Sequence, residues 1–317
     1  MAGAEVTIDD IRTAARRIAP YVHRTPVLSS RLINAEAGCE IAFKCENLQT
    51  VGAFKARGAH NAVLCLTPDQ LAHGVATHSS GNHAAALALA ASHFGVPAYI
   101  VMPENAPASK VAAVRAYGGA ITFCESTQAA RESTLQDLCE RTGASFIPPY
   151  DHPDVIAGQG TTALELAEQL EQAPDFLLTP VGGGGLLAGC AVASRALLPA
   201  TRVIGAEPAG ADDALRSFRS RQWQPQPAPV TVADGLRTAL GQLNFRLILD
   251  HVDDILSVDD PAIIHATRLV WTRMKLVIEP SAAVGLAAVL SHPQRFTGKR
   301  VAIVFSGGNV DIDKLPW

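Results

Sequence analysis

Apolar residues recur at helical spacing over residues 8–18, with Asp9 and Asp10 early and Arg16 and Arg17 late. That charge order suits a helix dipole, so the stretch predicts a helix. A short helix follows over 29–37, stopped by Gly38, then a strand over 41–46 and a helix over 59–66. From Val75 onward short apolar runs alternate with alanine-rich or charged helical stretches. The pattern predicts strands starting at 75 and over 98–102, 120–124 and 145–147, with helices over 84–94, 108–117 and 127–141. Successive β-α units of this kind imply a small open parallel sheet covered by helices. Residues 151–160 read as a connecting loop before a helix over 161–169. The apolar residues Phe176, Leu177, Leu178 and Val181 then lead into Gly182-Gly183-Gly184-Gly185 and a small-residue helix over 186–198. A strand over 202–206, helices over 261–274 and 281–290, and a last strand over 300–305 complete the pattern. Residues 219–229, with Pro225, Pro227 and Pro229, read as an irregular surface excursion.

At 317 residues, with 48% hydrophobic and 18% charged positions, the chain is long enough for one large or two modest domains with a substantial core. A net charge of −4 leaves no basic footprint, so no nucleic-acid partner is expected. The residues after Ala4 lack the apolar core of a signal peptide, and Gly, Pro or charges interrupt every apolar run before it reaches membrane-span length. Cys39, Cys45, Cys65, Cys124, Cys139 and Cys190 are scattered without a CxxC pair, as free thiols in a reducing compartment would be. A cytoplasmic protein without a membrane partner is expected.

Candidate chemistry gathers at glycine-bearing turns. Glycines 182–185 between a strand and a helix let backbone N–H groups converge at a helix N-terminus, an anion cradle suited to phosphate; a close-packed turn without a ligand is the alternative. Lys55, between Phe54 and a helix start, is either a solvated surface residue or an amine with its pKa lowered toward nucleophilicity. Ser79, Ser80, Asn82 and His83 bring hydroxyl, amide and imidazole groups to another helix start, more than simple capping requires, and so mark a second anion site, suited to a carboxylate. Ser306-Gly307-Gly308-Asn309 lies at the carboxyl end of the last strand, where open α/β folds bind ligands.

Two owners of the cradle's phosphate are open. Gly183, Gly185 and Ala188 fit a dinucleotide fingerprint, with Glu207 at the acidic position expected for a ribose hydroxyl, so a nicotinamide-dependent oxidoreductase is one reading. It leaves Lys55 and the turns at 79–83 and 306–309 without a role. Pyridoxal phosphate uses all of them: Lys55 as a Schiff base, the glycines on the phosphate, Asn82 on the ring hydroxyl and Ser306 on the pyridine nitrogen.

At these residues the chain resembles the fold-type II pyridoxal-phosphate enzymes, in particular the serine/threonine dehydratase and serine racemase branch. The likeness rests on Phe54-Lys55-Ala56-Arg57-Gly58, residues 79–83, glycines 182–185 and residues 306–309. It extends to Ala157-Gly158-Gln159-Gly160, Ala206-Glu207-Pro208, Ala233-Asp234-Gly235 and residues 273–280, which end in Ile278-Glu279-Pro280. It implies an α/β fold of two open, mostly parallel twisted sheets with flanking helices. A large cofactor-binding domain would take residues 1–73 and 152–317, and a small domain residues 74–151. By the same likeness the enzyme is a homodimer that converts L-serine or L-threonine to a 2-oxo acid and ammonia, with serine racemase and 3-hydroxyaspartate ammonia-lyase as alternatives. Phe54, Lys55, Asn82, Gly182, Gly183, Gly184, Gly185 and Ser306 would hold the cofactor. Ser79, Ser80, Asn82 and His83 would bind the amino-acid carboxylate, and Lys55 would move the Cα proton. Ser80 matches the proton donor that racemases place on the face opposite the lysine. Arg131 matches an arginine near the substrate pocket, able to receive a second carboxylate if it points inward, and is otherwise a solvated helix residue. Glu207, the Ala211 carbonyl and Asp213 match a divalent-cation loop, whose oxygen ligands suit Mg²⁺ or Ca²⁺, against the alternative of an ordinary acidic turn. A β-replacement synthase of the same fold is a further option. With Trp317 soon after the last strand, no attached regulatory domain is expected.

Overall fold

The computed structural model describes residues 6–79 and 81–317. Its strands, in chain order, are β1 Val27–Leu28, β2 Glu40–Cys45, β3 Val75–His78, β4 Ala98–Pro103, β5 Ala120–Cys124, β6 Ser145–Phe146, β7 Phe176–Pro180, β8 Arg202–Pro208, β9 Asp254–Val258 and β10 Arg300–Phe305. They form a six-stranded sheet, ordered β1-β2-β10-β7-β8-β9, and a four-stranded sheet, ordered β5-β4-β3-β6. Only β1 runs antiparallel to its neighbour; the other recorded pairs in both sheets are parallel. The expected α/β class of two mostly parallel sheets with flanking helices is what the chain adopts.

The larger sheet is buried on both faces, which is why its strands read as continuous apolar runs. Along β10, Val301, Ile303 and Phe305 face a core shared with the helices Asp260–Met274 and Pro280–Ser291. Ala302 and Val304 face the opposite core, built on Ile8–Ile18, Pro153–Gln169, Gly185–Leu197 and Gln242–His251. The smaller sheet follows the same alternation: Ile100 and Met102 pack on one side of β4 and Val101 on the other. Local signals set many boundaries. Thr7 caps the first helix in a capping box, Ser30 caps Arg31–Ala37, and Gly38 ends that helix at φ 65°. Among the described residues no helix is long and apolar enough to cross a membrane.

Several elements depart from expectation. Residues 151–160 are not a connecting loop: His152 caps a helix that starts at Pro153 and runs to Gln169. Its first turns are rich in glycine because they press against another backbone, and a Cβ on Gly158 would lie 2.6 Å from the Gly58 Cα. The helix expected from 59 begins at Lys55. The helix Gln242–His251 and the strand β9 had no expectation at all. Residues 219–229 finish a helix, Asp213–Ser220, and then fold back so that Trp223, Gln226, Pro227 and Pro229 line a cavity.

Candidate active site

The carboxyl ends of β3, β7 and β10 open onto a cavity of about 860 Å³, the position where parallel α/β sheets bind ligands. Of the site residues expected from sequence, Phe54, Lys55, Ser79, Asn82, His83, Arg131, Gly182, Gly183, Gly184, Gly185 and Ser306 all border it. Ser80 lies outside the described residues.

Lys55 is placed by its surroundings. The Phe54 N–H donates to the Ser306 carbonyl at 3.0 Å, and Ala53 bridges to Gly307, so the start of the lysine's helix is tied to the end of β10. Two residues on, Arg57 is fully buried and donates to Glu46 and Glu165 at 2.7–2.8 Å; Lys44 joins the same cluster through Glu165 at 2.8 Å. The Lys55 ammonium donates to the Pro149 carbonyl at 2.6 Å and stands 5.1 Å from the Phe54 ring centroid. Enclosure in the cavity wall lowers its pKa to about 8, although the Glu279 carboxylate works in the opposite direction.

The glycine stretch is a cradle by exclusion of side chains. A Cβ on Gly183 would fall 2.3 Å from the Tyr150 ring, and one on Gly182 3.1 Å from the Leu236 Cα. Gly184 adopts φ 92°, which favours glycine, and precedes a helix whose first N–H groups have no side-chain cap. Asn244 fixes the turn from behind, donating to the Gly183 carbonyl at 2.6 Å and the Tyr150 carbonyl at 3.2 Å. Uncapped N–H groups at a helix N-terminus beside a half-buried lysine suit a phosphate that carries a reactive carbonyl group.

Across the cavity, Asn82 donates from Nδ2 to both Glu279 oxygens at 3.1 Å. His83 donates from Nε2 to the Ile147 carbonyl at 3.2 Å; burial, with Lys55 nearby, pushes its pKa down to about 3, so the ring is neutral and holds the turn. Arg131 points inward: it borders the cavity, and its Nε is buried with no hydrogen-bond partner among the described residues. Lys110 pairs with Asp234 at the cavity wall.

Glu207, Ala211 and Asp213 are not part of this cavity. Glu207 accepts the Ala214 and Leu215 N–H groups at 3.0 and 2.9 Å, so its carboxylate faces a helix start and not the glycine turn, which removes the ribose role. Asp213 accepts the Leu240 N–H at 2.7 Å, and its Oδ1 is buried without a partner among the described residues. Burial raises both carboxyl groups, Asp213 to about 6, with Asp213 adding to the rise at Glu207 and Asp212 to the rise at Asp213. Two adjacent buried carboxylates with a vacant oxygen lone pair fit a hard cation. No group of three or more His, Cys, Asp or Glu able to hold a metal occurs among the described residues, so such a site would need carbonyl oxygens as well.

Glu279, Tyr150, Asn244 and Asn309 carry parts of the site that sequence reasoning left without roles. Ile278-Glu279-Pro280 and Asn309 stood inside recognised motifs, whereas Tyr150 and Asn244 carried no local signal.

The profile of the pyridoxal-phosphate dependent enzymes matches residues 18–307. The chain is 48% identical over 311 residues to a beta-hydroxyaspartate dehydratase of Paracoccus denitrificans, covering 98% of each chain. It is also 48% identical over 309 residues to an L-threo-3-hydroxyaspartate ammonia-lyase of Saccharomyces cerevisiae, covering 97% of this chain and 94% of that one. The solved structure of maize serine racemase superposes with a TM-score of 0.94 at 46% identity, covering 98% of this chain and 95% of that one. Matches of this extent, on a fold that joins an enclosed lysine to a glycine cradle, place the chain in the fold-type II family of pyridoxal-phosphate-dependent enzymes.

Proposed function

We propose that this enzyme is an ammonia-lyase acting on a β-hydroxy amino acid that carries a second carboxylate, a 3-hydroxyaspartate. The observation that carries the choice is Arg131, which borders the cavity and whose Nε is buried without a partner among the described residues. A guanidinium so placed offers a fork to a carboxylate, a group that serine and threonine lack. The names of the Paracoccus and Saccharomyces relatives support the same substrate class.

In this reading Lys55 would carry pyridoxal phosphate, the N–H groups of glycines 182–185 would hold its phosphate, Asn82 and Ser306 would serve its ring hydroxyl and nitrogen, and Phe54 would help to hold it. When bound, the cofactor supplies an electron sink that acidifies the substrate Cα–H bond. Ser79 and the N–H groups at the start of Asn82–His93 hold the α-carboxylate, and Arg131 holds the β-carboxylate. Two anchors fix the Cα–H bond toward Lys55, whose amine takes the proton. The β-hydroxyl leaves as water, taking up the proton that Lys55 removed. Hydrolysis then consumes one water, so the net products are a 2-oxo dicarboxylate and ammonia. Ser306 is a neutral partner for the ring nitrogen, which suits elimination over transamination. Ser80, by its resemblance, is the proposed donor on the opposite face. We also propose that Glu207, the Ala211 carbonyl and Asp213 hold Mg²⁺ or Ca²⁺.

The test is a substrate panel of L-threo-3-hydroxyaspartate, L-serine, L-threonine and D-serine, scored for ammonia, 2-oxo acid and inversion. Hydroxyaspartate should exceed serine in kcat/KM. Arg131→Met should lower the hydroxyaspartate value by about 10- to 100-fold, the worth of a hydrogen bond to a charged group, and leave serine turnover little changed. Equal loss on both substrates, or preference for serine in the wild type, would remove the dicarboxylate reading. Inversion of serine faster than its deamination would favour the racemase reading instead.

A further inference from the structure

Asn82 is held in one orientation by a chain of hydrogen bonds that begins at a backbone carbonyl. Asn309 donates from Nδ2 to the Val51 carbonyl at 2.8 Å, which identifies that atom as the amide nitrogen, since a carbonyl only accepts. The same nitrogen donates to the Asn82 Oδ1 at 3.0 Å. The other end of Asn82, Nδ2, therefore faces Glu279, at 3.1 Å from each carboxylate oxygen. Glu279 Oε2 also accepts the Asn309 backbone N–H at 3.2 Å, so both asparagines converge on one carboxylate. Turning Asn82 over would set its oxygen against two carboxylate oxygens and its nitrogen against the Asn309 nitrogen. Both contacts would be repulsive.

Two further features show that this carboxylate is directed at Asn82. Glu279 occupies the N-cap position of Pro280–Ser291 yet makes no side-chain bond to that helix. Gly307 leaves it room: a Cβ there would lie 3.0 Å from Glu279 Oε1 and 3.1 Å from Asn82 Nδ2. With one Nδ2 hydrogen taken by Glu279 and Oδ1 taken by Asn309, Asn82 keeps one N–H for the cavity.

We propose that Glu279, together with Asn309, is a positioning residue that locks Asn82 so that its free N–H edge is presented to the cofactor. The inference rests on the reading of the cavity as a pyridoxal-phosphate site. It assigns Glu279 no proton transfer; it acts through Asn82.

The test uses enzyme reconstituted with pyridoxal phosphate. Glu279→Gln keeps the shape but replaces one of the two acceptor oxygens facing Asn82 with an amide donor, so a flipped Asn82 then clashes with Asn309 alone and the lock is weakened. The bound cofactor's long-wavelength absorbance maximum should move, and kcat should fall about tenfold with KM little changed, since a hydrogen bond to a charged group is lost. Glu279→Asp, which keeps the carboxylate, should recover part of both. If Glu279→Gln does not fold, Asn309→Ala removes the lock from its other side and should move the same absorbance band. Folded variants with wild-type spectrum and kcat, altered only in thermal stability, would overturn the proposal. A wild-type protein that forms no such band with pyridoxal phosphate would instead overturn the cofactor reading, and the inference with it.

Discussion

Tyr150 lies across Gly183 so closely that a Cβ built on the glycine would stand 2.3 Å from the aromatic ring. The tyrosine has little room to yield. Its hydroxyl bonds to Thr238 at 3.0 Å, and its carbonyl accepts from Asn244 at 3.2 Å. Gly183→Ala should therefore displace the ring or the cradle. Overpacking of this kind costs about 1–3 kcal/mol, or roughly 5- to 150-fold in cofactor affinity. Titration of the apo-protein with pyridoxal phosphate, followed by absorbance, measures it. Unchanged affinity in a folded Gly183→Ala protein would mean that the glycine turn does not bear on the phosphate.

The lowered pKa of Lys55 predicts an unusual pH profile for cofactor capture. Only the free amine attacks an aldehyde, and burial brings that form within reach at about pH 8, far below the usual lysine range. The rate at which apo-protein captures pyridoxal phosphate should rise through about pH 8 and level off above it. Borohydride reduction and peptide mapping should place the label on Lys55. A rate that keeps climbing toward pH 10, or label on Lys44 or Lys110, would refute the assignment.

The cradle, the lysine and the turn at 306–309 were legible because each needs a residue type that local sequence displays: glycine where a Cβ would collide, and a lysine or serine beside it. The parallel sheets were legible for a related reason, since strands buried on both faces read as continuous apolar runs. What could not be read was set by contacts distant in sequence. Tyr150 meets Gly183 and Thr238 only after the chain has folded, and residues 153–160 look like a loop because their glycines answer to the Gly58 and Gly189 backbones, not to a turn. Helical glycines at a close helix crossing and glycines in a loop have the same local signature. Glu207 illustrates the opposite error: a good fingerprint match at the end of a strand, but its carboxylate faces the N–H groups of Ala214 and Leu215.

Arg57 anchors the helix of Lys55 through a largely buried ion cluster, and its loss should appear first as instability. Arg57→Ala would leave Glu46 buried without its 2.7 Å partner and Glu165 with Lys44 alone. Removing one member of a buried pair costs about 3–5 kcal/mol. Urea unfolding of purified protein should show a loss of that order, together with weaker retention of cofactor. A loss below about 1 kcal/mol, the range of surface pairs, would mean that water replaces the guanidinium at little cost.

The carboxylates of Glu207 and Asp213 predict a cation effect on stability that does not depend on turnover. Glu207 is already bonded to two amides, whereas Asp213 has Oδ2 on Leu240 and Oδ1 buried without a partner among the described residues. A bound cation would satisfy that oxygen and offset the repulsion between the two groups. Mg²⁺ or Ca²⁺ in hundredfold excess over its Kd should then stabilise the fold by about 2.7 kcal/mol, read as a rise in Tm that EDTA reverses. Asp213→Asn keeps an oxygen for the Leu240 N–H but cannot offer a second anionic ligand, so the increment should vanish in that variant while its Tm without cation stays close to that of the cation-free wild type. An undiminished increment in Asp213→Asn would place the cation elsewhere on the molecule.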